Sequence, residues 1–417
     1  MSFLGLVSSS AAGAQQQFPE LIPIPASEQI STMREPLPVD TLIDAALAFS
    51  GSAGPSLTAA RLRLVSSLAR FRAETSEITA QAELAEKALS FLHATLLNNY
   101  SVLQTRVDTA LETGAFNCVS SAVMYMIFAR AAGLSVGGIR TTDHAFCTVW
   151  VNGAEVDVET TNPYGFNPGA KRDFLDTFGR VTGYTYVPPT NLADRRKIGE
   201  KDLLGLILYN RVSEYTESRY FRDALQPAVS AYVLTGSGEA LQLMVTAFSN
   251  FISWLGMRQE YGQALRFIDV VKASFGTAVD LERRKGEILH NWILTRIEAG
   301  SLEEAQSLLE QASARESLGD ADWTELSTYV VQLSAQAAAR GEAFLAAAEI
   351  VADGIRRIGA RTELLQAYEA YVHNAFAQLF NARRFSEART VIEQGLAFSP
   401  GSRVLTQDLA TVKRVLR

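Results

Sequence analysis

The sequence predicts an α+β domain followed by an all-α array of helical repeats, and three features of the chain predict it. Its 417 residues exceed what one ordinary hydrophobic core holds. Apolar residues at helical three- and four-residue spacing give way, over residues 117–161, to one apolar helix and then to short strands. From about Asp202 the spacing is helical again and it repeats, with Ala224, Ala264, Ala305, Ala348 and Ala388 falling in steps of 40, 41, 43 and 40.

Residues 1–38 form an N-terminal tail or a truncated signal segment. An apolar patch at 3–7 leads to Ala12-Gly13-Ala14, the back half of a secretory signal without its positive n-region. An upstream start would complete such a signal and place the chain in the periplasm or outside the cell. A plain tail leaves it in the cytoplasm. Five prolines within 18–40 read as an extended lead-in.

The α+β domain is expected over 39–190. Residues 41–49, 56–72 and 76–97 carry helical apolar spacing, with Ser76 as a candidate helix start. Residues 117–132 form a strongly apolar helix stopped by Gly133. Strands follow at 136–140 and 145–151, and Asn152-Gly153 then predicts a two-residue type I′ turn into a returning strand at 154–160. Pro188-Pro189 marks the boundary before the repeats, placed at 200–417.

Composition excludes several classes of function. Apolar residues make up 47%, charged residues 20%, and the net charge is −7, with basic residues scattered in short groups such as Arg195-Arg196-Lys197 and Arg383-Arg384, so no long basic face emerges for nucleic acid. No apolar stretch of roughly 18 residues suggests a membrane span. Two cysteines, Cys118 and Cys147, exclude a disulfide framework while leaving a single bridge open. The four histidines lack metal-ligand spacing, and no cofactor or metal is expected.

The chemistry concentrates on Cys118 and His144. Asn117 is a good N-cap, which puts Cys118 in a first helical turn, where backbone amides and the helix dipole favour a thiolate and can receive an oxyanion. With Val151 facing Ala154 across the turn, His144 shares a sheet face with Phe146, Thr148 and Trp150, and with Glu155, Asp157 and Glu159 on the partner strand. A carboxylate there would hold the imidazole tautomer and stabilise its charged form. On this register Glu159 lies nearer His144, with Asp157 as the rival. Cys147 points to the opposite face. Tyr164, Tyr184 and Tyr186 are candidate cleft residues, read more simply as half-buried packing, and His93, His290 and His373 read as structural or solvent-facing.

A cysteine opening an apolar helix that ends Arg130-Ala131-Ala132-Gly133-Leu134, followed by Asp143-His144-Ala145-Phe146 and Val158-Glu159-Thr160-Thr161, resembles the core of the transglutaminase-like (papain-like) cysteine superfamily. The resemblance implies Cys118 as nucleophile, His144 as base and Glu159 or Asp157 as the acidic third member. Glu159 stands where that family commonly has aspartate, and Thr160 where it has proline. The implied activity is cysteine-dependent acyl transfer, as a peptidase or amidase or as a transglutaminase-like crosslinker. The alternative is an inactive copy of the fold serving as an interaction scaffold.

The repeats resemble tetratricopeptide repeats. Three residues before each alanine stands Phe221, Tyr261, Leu302, Leu345 or Phe385, and fourteen before stands Asn210, Asn250, Asn291, Ser334 or Asn374. The spacing exceeds the roughly 34 residues usual for that repeat, and only Pro400 supplies a closing proline. The resemblance implies a groove for a protein or peptide partner, closed by a capping helix at 406–416. Transglutaminase-like domains fused to such repeats occur in bacteria.

Overall fold

The computed structural model describes residues 18–170, 191, 195–314 and 318–416. The signal-like segment at 1–17, Tyr184, Tyr186 and Pro188-Pro189 lie outside the described residues. The described chain is mostly helical, with seventeen α-helices and two small sheets. It forms two compact units, Met1–Trp254 and Leu255–Arg417.

In the first unit, helices α1 (Pro25–Ser31), α2 (Val39–Ser50), α3 (Gly54–Glu74), α4 (Gln81–Thr95) and α5 (Val107–Thr113) precede the central helix α6 (Cys118–Ala131). Ser76 does not start α4. Thr75 closes α3 by donating its hydroxyl to Phe71 O at 2.8 Å, and α4 begins only after the extended Ala80. Every residue of α6 from Cys118 to Ala129 is buried. A helix apolar all round needs walls all round, and here α2, α4, α5 and the sheet supply them. Gly133, with φ of 80°, stops it.

The main sheet is antiparallel, in the order β5-β4-β3-β6, with β3 at Ser135–Arg140, β4 at Ala145–Val151, β5 at Ala154–Val158 and β6 at Arg196–Ile198. Val151 faces Ala154, and Asn152 and Gly153 have φ of 52° and 82°, as a type I′ turn requires. The edge strand β6 comes from residues that read as a basic group in the sequence. It pairs with β3 at Gly138↔Ile198, where a Cβ on Gly138 would sit 2.7 Å from Ile198 Cγ1. A second, parallel pair joins β1 (Asn99–Tyr100) to β2 (Ala115–Phe116) just before the central helix.

The division between units falls at Trp254, not near residue 200 as the sequence reading placed it. Helix α7 (Glu200–Glu217) packs on α2, α6 and β3, and α8 (Leu225–Thr235) packs on α1. Leu203, Leu204, Leu206, Ile207, Leu208, Ala231 and Leu234 belong to the same core as the central helix. The apolar face of the first expected repeat is therefore consumed by the α+β unit. Helix α9 (Gly238–Met257) is long and apolar enough to cross a membrane by length and composition, which the sequence reading did not anticipate. Ala240, Met244, Phe248, Phe251 and Ile252 form a buried stripe along it at helical spacing, as on a packed helix.

The second unit contains α10 (Tyr261–Phe275), α11 (Glu282–Glu298), α12 (Leu302–Ala314), α13 (Asp320–Arg340), α14 (Phe344–Ile358), α15 (Thr362–Asn381), α16 (Phe385–Phe398) and α17 (Arg403–Val415). Successive helices pack on one another from α10 to α17. Ala264, Ala305, Ala348 and Ala388 are buried near the starts of α10, α12, α14 and α16. Tyr261, one of the large residues three positions earlier, stacks on Trp292 and bonds Thr295 Oγ1 at 2.9 Å.

Candidate active site

Asn117 builds the start of α6. Its Oδ1 accepts from Val119 N at 3.0 Å and Ser120 N at 3.1 Å, while its own amide donates to Ser120 Oγ at 2.9 Å. That reciprocal cap fixes the first turn, and with it Cys118. Because the cap takes the next two amides, the amide of Cys118 is the one without an acceptor among the described residues. It is the backbone donor available to an oxyanion formed at this cysteine.

His144 closes the turn between β3 and β4. Its carbonyl accepts from Thr141 N at 2.8 Å, and its amide donates to Thr141 Oγ1 at 3.2 Å. The ring is buried, 6.0 Å between centroids from Phe146. His144 Nε2 lies 2.8 Å from Glu159 Oε2, and Cys118 stands close enough to the same imidazole to raise its pKa. Burial alone would lower the pKa of His144. The Glu159 charge, its hydrogen bond and the Cys118 thiol outweigh that and push it up to about 10.

Of the two candidate carboxylates, Glu159 is the one brought to the histidine, although the strand pairing that suggested it stops short. The β4–β5 ladder ends at Cys147↔Val158. Glu159 then enters a tight loop, donating its amide to Gly165 O at 2.8 Å, while Gly165 N donates to Asn162 O at 3.0 Å. A Cβ on Gly165 would fall 1.9 Å from Glu159 O, so only glycine fits there. Within the loop Glu159 Oε1 accepts from Thr161 Oγ1 at 2.8 Å and Thr161 N at 3.2 Å. Both oxygens of this wholly buried carboxylate are thereby engaged. Asp157 goes elsewhere: Arg195 grips it through two bonds of 2.8 Å, both side chains being buried, and the guanidinium also lies 5.2 Å from the Phe146 ring.

Cys147 lies on the far face of β4, fully buried, with its thiol donating to Ala122 O at 3.2 Å. Both cysteines are free, so the single bridge left open by the sequence is not formed. Burial pushes the Cys147 thiol well above its ordinary pKa, and the nearby Glu159 charge adds to that.

Two residues behind the site escaped the sequence reading in their roles. His93 Nε2 bonds Thr160 O at 3.0 Å, and Ser121 Oγ bonds Thr160 Oγ1 at 2.9 Å. Together they anchor the residue next to Glu159 from two different helices. Burial lowers the His93 pKa, which favours the neutral ring that can donate to a carbonyl. Spacing carries no signal for such contacts across 67 and 39 residues. Tyr164 is exposed and does not line the Cys118 cleft.

Cys118 and His144 open onto a cleft of about 240 Å³ whose other walls are the loop at 102–103, residues 140–145 and one face of α7. Among the described residues no group of three His, Cys, Asp or Glu side chains could hold a metal ion. No protein-family model matches the chain, and no curated protein matches it significantly.

Proposed function

We propose that this chain is a cysteine-dependent acyl-transfer enzyme with a transglutaminase-like active site, acting as a peptidase or amidase, and that its second unit is a tetratricopeptide-like solenoid that docks a protein partner. The observation that carries the first part is the line from Cys118 through His144 to Glu159. Its imidazole–carboxylate contact of 2.8 Å lies in a buried site at the floor of an open cleft. A nucleophile, a base and an orienting acid in series are what covalent acyl transfer needs.

With Nε2 committed to Glu159, Nδ1 is the nitrogen that holds the reacting proton, which a His144 pKa of about 10 keeps on the imidazole near neutral pH. The thiolate attacks an amide carbonyl carbon, a C–S bond forms, and the Cys118 amide receives the oxyanion. His144 returns its proton to the leaving amine as the C–N bond breaks, giving a thioester. Water then attacks the thioester, giving its proton to His144, and the acid and the free thiol are released. An amine in place of water would complete crosslinking by the same steps. Glu159 stabilises the imidazolium in both half-reactions and stays ionised throughout.

The solenoid reading rests on the recurring buried alanines and on close helix approaches. A Cβ on Gly354 or Gly395 would fall 2.7 Å from Val331 or Val372 on the preceding helix.

Iodoacetamide labelling at pH 6 to 7, mapped by mass spectrometry, tests the enzyme. Cys118 should label faster than a free thiol, Cys147 should stay unlabelled in native protein, and His144→Ala should slow labelling at Cys118. Labelling no faster than free cysteine, with Cys118→Ala behaving as wild type in vivo, would leave the interaction scaffold as the function.

A further inference from the structure

One wall of the cleft beside Cys118 is a single stripe of α7. Leu206, Tyr209, Asn210, Ser213, Glu214 and Glu217 recur at three- and four-residue spacing and all face the cleft. The stripe changes character along its length. Leu206 is buried, whereas Ser213, Glu214 and Glu217 are exposed at the mouth. Asp143, beside the histidine, adds a third exposed carboxylate.

Two cations stand nearby, and each has a carboxylate partner, Arg140 sharing its own with Arg196. Arg140, also in the cleft wall, pairs with Glu239 at 2.5 Å and lies over the Tyr209 ring. Arg106, near Glu214, pairs with Asp108 at 3.1 Å. Among the described residues none of Asp143, Glu214 and Glu217 has an ion-pair partner. Among the described residues, three carboxylates against the one cation Arg140 give the cleft lining a net negative charge.

Another part of the lip is apolar. Val102 and Leu103 stand 56% and 72% exposed, an unusual position for two large aliphatic side chains side by side. They are held there by the machinery that positions the nucleophile: Asn117 Nδ2 donates to Val102 O at 3.0 Å, and Ser120 Oγ donates to Gln104 O at 3.0 Å. An apolar shelf and an acidic wall, lining one cleft with the thiol, describe a substrate.

We propose that the cleft takes a peptide segment carrying a cationic side chain, lysine or arginine, next to an apolar one. The cation lies against Glu214, Glu217 and Asp143, and the apolar side chain covers Val102 and Leu103. This rests on the acyl-transfer reading for its chemistry, but the binding preference belongs to the cleft and can be measured without turnover.

The test uses full-length Cys118→Ala protein and two probe peptides, acetyl-Ala-Lys-Leu-Ala-amide and the same peptide with glutamate for lysine, titrated calorimetrically. Exposed charge pairs contribute modestly and are screened by salt, so the lysine peptide should bind about five- to tenfold tighter at low ionic strength, with the gap closing in high salt. Glu214→Gln/Glu217→Gln in the same background should shrink the ratio to about twofold. Leu103→Ser should weaken both peptides. Equal affinity for the two peptides, no binding of either, or a ratio indifferent to the double substitution overturns the proposal. Should the ratio hold while wild-type Cys118 labels no faster than free cysteine, the cleft preference stands and the enzyme reading alone fails.

Discussion

Arg195 holds both carboxylate oxygens of Asp157 at 2.8 Å, and that grip, between two buried side chains, keeps Asp157 away from His144. The pair also ties the chain entering β6 back to β5. Breaking one side of a buried ion pair leaves an uncompensated charge, which costs about 3–5 kcal/mol. Arg195→Met should therefore destabilise the first unit by about 3 kcal/mol in urea unfolding. Arg195→Met/Asp157→Leu should recover most of that loss, because both charges go together. In neither variant should Asp157 or its replacement take over the role of Glu159.

Glu159→Gln tests the acid that does reach the histidine. Glutamine preserves the shape but removes the charge that outweighs burial at His144, so the imidazole pKa should fall from about 10. Titration of the His144 ring signal by NMR reads this directly. Iodoacetamide labelling of Cys118 should slow by about 100-fold or more, within the range general acid–base groups contribute. An unmoved histidine titration would detach Glu159 from the site.

The same contact makes stability depend on pH, with a definite sign. His144 binds its proton more tightly folded than unfolded, since its pKa rises from 6.5 to about 10. Its contribution is then complete below about pH 6.5 and is lost as pH rises through about 10. Urea midpoints at pH 6 and pH 10 should differ more for wild type than for His144→Gln. Equal pH dependence in the two proteins would place the stabilising proton elsewhere.

Much of the site was legible because it depends on local rules. Asn117 caps a helix by residue type, and Asn152-Gly153 fixes the hairpin register as far as Val158, the residue before Glu159. What the sequence could not convey was the loop after Val158. Gly165, Thr161, Ser121 and His93 position Glu159 through contacts that no periodicity encodes. The unit boundary was missed for a related reason. Ala224 falls in step with the later alanines, yet Leu203 to Leu208 of the helix before it pack into the first core, and spacing along a helix does not say which core its apolar face joins. The edge strand β6 went unseen because Arg196-Lys197-Ile198 offers charge where a strand usually offers β-branched residues.

Gly165→Ala should separate loop geometry from chemistry. Its Cβ would fall 1.9 Å from the carbonyl oxygen of Glu159, a backbone clash relieved only by moving the loop. Cys118 labelling should slow by about tenfold or more, since a small misplacement of a catalytic group carries a cost of that order. His144 should titrate lower, as it does in Glu159→Gln. A variant that labels at the wild-type rate with an unshifted His144 would show that the carboxylate does not depend on this turn.

Two glycine substitutions of identical chemistry should have opposite signs, because their neighbours differ. Gly205 lies inside α7, and a Cβ there would meet Leu234 and Thr235 at 3.6 and 3.7 Å, ordinary contact distances. Gly205→Ala should stabilise the first unit by about 0.5–1 kcal/mol through helix propensity. Gly354 lies inside α14, where a Cβ would meet Val331 Cγ1 and Cγ2 at 2.7 and 2.8 Å. Valine is stiff at χ1 and its methyls cannot swing clear, so overpacking by about 1–3 kcal/mol should exceed the propensity gain. Gly354→Ala should therefore lower the unfolding midpoint of the second unit, and adding Val331→Ala should restore part of it by opening the space. Reactivity of Cys118 in the native protein should be the same in both single variants, since neither glycine touches the cleft. A stabilised Gly354→Ala would mean that α13 and α14 do not approach as closely as Gly354 and Val331 require.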